Sequence, residues 1–80
     1  MVSKLWLILF PETGEYLCVI GGKYVKKLAQ EIDQSTLFQF WSDNFNDLKK
    51  FWKEHGDSSI NPDSMTLIEA RIDSDGNITV

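Results

Sequence analysis

The chain is poor in the residues from which most chemical sites are built. It carries one cysteine, Cys18, and one histidine, His55, among its 80 residues. A single cysteine excludes an internal disulfide and suits a reducing compartment, the cytoplasm by default. One Cys and one His cannot complete a zinc site without carboxylate help. Long hydrophobic stretches are missing too. The opening apolar run covers residues 5–10 and meets Pro11-Glu12, with no small-residue cleavage site. It is too short for a signal peptide or a membrane span, so it reads as a strand. No repeat or low-complexity segment appears.

Excess basic charge is also lacking. The net charge is −4 and the pI about 4.7, against the strongly basic character usual in nucleic-acid binders. Residues 1–56 hold seven acids and seven lysines, which cancel. The last 24 residues hold Asp57, Asp63, Glu69, Asp73 and Asp75 against Arg71 alone. An acidic end steers basic partners or simply keeps the chain soluble, and solubility is the commoner use.

What is present is a folded-domain composition: 42% hydrophobic, 25% charged, and ten aromatics. That length and composition give one domain over residues 1–80 with a small core. Strands are expected over residues 4–10 and 15–20, joined by a three-residue loop ending in Gly14. That loop pairs Phe10 with Tyr16, Ile8 with Cys18 and Trp6 with Ile20. Both faces of this hairpin are apolar, so both need cover. Gly21-Gly22 breaks the strand. Tyr24, Val25, Leu28, Ala29 and Ile32 then fall at helical spacing and predict a helix over 23–33; the rival reading is an extended segment through Tyr24 and Val25. Either that helix or another protein chain is expected to cover the second face.

A third strand is expected over residues 36–41. Ser42-Asp43-Asn44 offers N-caps for a helix over 43–55, whose stripe is Phe45, Leu48, Phe51, Trp52 and His55, with Gly56 at C′. Residues 65–73 and 77–80 predict a second hairpin. A three-residue loop 74–76 sets Ile72 against Ile78 and keeps apolar partners together. The fold class is α+β, a largely antiparallel sheet in the order ββ(α)βαββ.

The motifs that suggest chemistry fail on spacing. Gly21-Gly22-Lys23 resembles a phosphate loop, but Leu17 stands where the first Gly belongs and Tyr24 follows the Lys. Asp73-Ser74-Asp75-Gly76-Asn77 has its Gly too early for a calcium loop, and a hairpin turn explains it. A Cys18–His55 nucleophile pair is conceivable, but Cys18 sits mid-strand among apolar neighbours, where a thiolate is costly. No catalytic constellation, cofactor or metal is indicated.

Two surfaces remain. Lys23, Lys26 and Lys27 with Lys49, Lys50 and Lys53 form a basic patch if their segments lie side by side, with aromatics nearby to stack on bases. Trp41 is the aromatic with the least obvious home, since Phe38 and Phe40 share the opposite strand face. Trp is enriched at binding hot spots, which makes Trp41 the first contact candidate, with Asp57, Asp63, Asp73 and Asp75 as acidic companions.

Residues 11–17 (PETGEYL), Gly21-Gly22-Lys23, Thr36-Leu37-Phe38 and the aromatic helix running into His55-Gly56-Asp57 resemble small accessory proteins of bacteriophages and prophages. That class includes inhibitors of host defence, anti-CRISPR proteins among them, which occupy a surface of a larger host protein. The resemblance implies a non-enzymatic inhibitor or modulator with a host-protein partner. It carries over no site residue. Nucleic-acid regulation through the lysines and homodimerisation through an uncovered face are the alternatives.

Overall fold

The computed structural model describes residues 3–80. An antiparallel sheet carries one α-helix on one face. The sheet runs β3-β2-β1-β5-β6, from β1 (Ser3–Phe10), β2 (Glu15–Ile20), β3 (Lys23–Leu28), β5 (Thr66–Ile72) and β6 (Ile78–Thr79). The short strand β4 (Gln39–Phe40) pairs with β1, and α1 (Phe45–His55) follows it. Among the described residues, no helix is long and apolar enough to cross a membrane.

The first hairpin differs from the expected register by one residue. Phe10 pairs with Glu15 and Leu9 with Tyr16, around a four-residue loop. The Phe10 carbonyl accepts from both Thr13 N (3.2 Å) and Gly14 N (2.9 Å), with Gly14 at φ 74°. Pro11 thus lies within the turn, and the loop is one residue longer than expected. A slip of one residue exchanges the faces of a strand. Leu17 therefore joins Ile8 and Phe10 in the main core, while Tyr16 packs on the other face.

The expected helix over 23–33 is not formed; residues 23–28 are strand β3. Gly21 and Gly22 both have positive φ, 59° and 76°, and Ile20 pairs with Lys23 across them. This is the backbone of a two-residue hairpin turn with right-handed strand twist, which two glycines adopt at no steric cost. The ladder with β2 overrides the helical spacing. Tyr24 then meets α1, and the Lys26 ammonium lies 4.4 Å from the Phe10 ring centroid.

After β3 the chain crosses the second face in two 3-10 turns, Ala29–Glu31 and Gln34–Thr36. They close over Leu7, Tyr16, Leu37 and Ile78, leaving a cavity of about 210 Å³. Leu5, Leu7, Ala70 and Ile78 form the buried cluster there. These turns, rather than a helix over 23–33, lie over the second face. Gln34 fixes the cover: its Nε2 donates to Ile78 O (3.1 Å) and its Oε1 accepts from Ile78 N (3.0 Å). A side-chain amide here completes the edge of β6.

The expected third strand shrinks to Gln39–Phe40, with Leu37 bridging singly to Cys18. The first two strands part beyond Leu9, and this segment takes their free edges: Trp6 pairs with Phe40 and Leu7 with Gln39. The C-terminal hairpin matches its expected register, Ile72 against Ile78, with Gly76 at φ 84°.

Helix α1 spans Phe45–His55, capped by Asn44, whose Oδ1 accepts from Asn46 N (2.9 Å). Buried Ser42 donates to Asp47 Oδ2 and accepts from Asn44 N, locking the entry. Leu48 and Trp52 are buried, Phe45 and Phe51 half-buried, and His55 is exposed. The main core joins Ile8, Phe10, Leu17 and Phe40 from the sheet region to Leu48, Trp52, Ile60 and Met65. Gly56 departs from the expected left-handed C′ geometry, with extended backbone at φ −86° and ψ −179°. Its reason is space: a Cβ there would fall within the Trp52 indole.

Candidate functional site

Trp41 follows β4 directly and is 72% exposed, while its neighbour Phe40 is 2% exposed. The two rings stack at 5.2 Å between centroids, 30° apart. Phe40 is itself fixed by contacts to Phe38 and Phe51. An exposed indole leaned on a fixed ring surrenders little rotamer freedom when a partner covers it.

One exposed acid, Asp43, follows Trp41 closely in the chain. Asp43, two residues beyond Trp41, shares a shallow depression with Asp63, Phe45, Met65, Thr66 and Leu67. Asp63 also lies 3.9 Å from the Lys49 ammonium, an exposed pair of small energetic consequence. Asp43 escapes a search by composition; its only sequence signal is its closeness to Trp41.

The other acidic candidates lie elsewhere. Asp57 follows the far end of α1, and its Oδ1 accepts from Ser59 N (2.9 Å) and Ser59 Oγ (2.7 Å). Asp73 Oδ1 accepts from Asp75 N and Asn77 N inside the C-terminal turn, and Asp75 occupies that same turn. Asp57 and Asp73 therefore serve local turns. Their signals were those of turn formers, with the same side-chain geometry as contact residues.

Hydrogen bonds from Ser59 hold the Asp57 carboxyl below the usual carboxylate range, and bonds from Ser35 do the same for Asp33. A depressed folded value means stability present above the unfolded value and lost as pH falls through the folded one. Asp33 is exposed and Asp57 only half-buried, and both carboxyls are bonded within their own turns, so the contribution is small. Side-chain NMR titration should show Asp57 and Asp33 protonating below ordinary aspartates, and Ser59→Ala should raise Asp57 towards them.

Six of the seven lysines lie on β3 and α1. The structure brings these two elements together, although the first is a strand. Tyr24 is the tie: its ring lies 4.6 Å from Trp52, and its hydroxyl donates to His55 O at 3.4 Å. Lys49, Lys50 and Lys53 border a groove of about 670 Å³ floored by Trp52, Ile60 and Pro62.

Cys18 and His55 do not form a site. Cys18 is fully buried between strands, and burial pushes its thiol up, so the thiolate is disfavoured. The His55 ring lies 5.3 Å from that of Phe51, tilted by 44°, with Glu54 beside it. Among the described residues no group of three His, Cys, Asp or Glu side chains is placed to hold a metal ion. No protein-family model matches the chain, and neither a curated protein nor a solved structure was found to be similar to it.

Proposed function

We propose that this chain is a small binding protein that inhibits or modulates a larger host protein by surface contact centred on Trp41. The observation that carries the reading is the indole itself, 72% exposed in a domain that buries most of its other aromatic surface. Burial under a partner supplies apolar area at low entropic cost because Phe40 already orients the ring. Asp43, two residues beyond Trp41 and exposed, adds an acidic neighbour in the chain, which favours a basic patch on the partner. The resemblance to phage and prophage accessory proteins supplies the partner class, a host protein.

The test is capture from host lysate by wild type and by Trp41→Ala, followed by titration of the recovered protein. Loss of the central aromatic at an interface costs about 2–4 kcal/mol, so affinity should fall about 30-fold or more. The variant should keep the wild-type unfolding midpoint, since the side chain contributes little to the core. Equal recovery at equal affinity by both proteins would remove Trp41 from the interface.

A further inference from the structure

We propose that the outer edge of β3 receives an acidic, extended segment of a partner protein as an added strand. The proposal rests on the reading of the chain as a protein binder but concerns a different surface from Trp41. The sheet has two unequal edges. At β6 only two residues are paired, and Gln34 occupies the Ile78 main chain. At β3 six residues are paired to β2 on one side, and no described segment pairs on the other.

The register tells which groups face outward. Ile20 and Lys23 flank a two-residue turn, so they form a hydrogen-bonded pair, as do Cys18–Val25 and Tyr16–Lys27. The N–H and C=O groups of Tyr24, Lys26 and Leu28 therefore point away from the sheet. That is three successive donor–acceptor sets, the spacing an incoming strand matches.

Charge chooses the occupant. β3 carries Lys23, Lys26 and Lys27 and no acid. A second copy pairing antiparallel along the same edge would bring six ammonium groups to one seam, which opposes self-association. The lysines that repel a copy attract a strand bearing Glu or Asp. An added strand would also cover Leu28, which is 36% exposed at the end of β3.

The probe is an octapeptide of alternating Val and Glu, with a Val/Lys octapeptide and a backbone N-methylated Val/Glu octapeptide as controls. Wild-type protein should bind the first, more weakly as salt rises, and neither control. Amide exchange should slow at Tyr24, Lys26 and Leu28 and stay unchanged at Val25 and Lys27. Lys26→Pro removes an outward donor and no ladder bond, so it should weaken binding about tenfold. Trp41→Ala should bind the octapeptide like wild type, which separates this edge from the contact proposed above. The N-methylated control keeps the test valid even if Lys26→Pro fails to fold. The proposal is overturned by absence of Val/Glu binding at millimolar peptide, or by equal binding of the Val/Lys peptide. It is equally overturned if single-stranded DNA protects the same amides, or if sedimentation shows a dimer that Lys26→Pro abolishes.

Discussion

Trp52→Ala should remove about 3–5 kcal/mol of folding stability, in a domain whose whole stability is about 4–12 kcal/mol. Trp52 is 4% exposed and joins the helix to three other parts of the chain. Its ring meets Tyr24 of β3 at 4.6 Å, and its Nε1 donates to Ile60 O at 2.9 Å. On its remaining side the backbone of Gly56 lies against the indole. Truncation opens a cavity and leaves the buried Ile60 carbonyl unpaired, and the two costs add. Trp52→Phe should cost less, since most of the ring volume stays and chiefly the hydrogen bond is lost. Urea denaturation followed by circular dichroism gives both numbers. A loss under about 1 kcal/mol for Trp52→Ala would show that the helix is not anchored through this ring.

Gly56→Ala should be the second most damaging change, at about 1–3 kcal/mol. The backbone at Gly56 is extended, a conformation any residue adopts, so no dihedral strain is involved. The added methyl would overlap the Trp52 ring, and either the indole or the 57–62 loop must move. Trp52 fluorescence should shift with the loss of stability. Combined with Trp52→Ala, the glycine substitution should become nearly neutral, because the ring that it strikes is gone. Additive losses in the double variant would contradict this explanation of the glycine.

The helix was legible because its apolar stripe, its Asn44 cap and its Gly56 stop are all local features. The C-terminal hairpin was legible because pairing Ile72 with Ile78 is the register that keeps apolar partners together. The 23–33 segment was legible only through its rival reading, extended at Tyr24 and Val25, since its apolar residues also satisfy a helical period and the decisive feature lies just before it. Two consecutive glycines permit a turn that places β3 on β2, and the ladder there outweighs local propensity. The register of the first hairpin was hidden for a related reason. Three- and four-residue loops both suit Pro11-Glu12-Thr13-Gly14, and with both faces apolar the hydrophobic pattern does not choose between them. Cover for the second face comes from residues 29–36, whose 3-10 turns leave no periodic mark.

The same contrast holds for the candidate site. Trp41 stood out because every neighbouring aromatic has a place in the core stripe or the opposite strand face. Asp57 and Asp73 shared the acidic composition of a contact surface, yet each is taken up by hydrogen bonds within its own turn. Asp63 and Asp43 come together only through the return of the 57–64 segment along α1, which is a tertiary event.

The central claim is that Trp41 is the point of contact with a protein partner. Fluorotryptophan labelling gives three fluorine resonances, for Trp6, Trp41 and Trp52, assigned by single substitutions. On titration with the host protein captured by the wild-type chain, the Trp41 resonance should shift and saturate while that of Trp52 stays in place. A partner that binds to saturation and leaves the Trp41 resonance unmoved would contradict the claim.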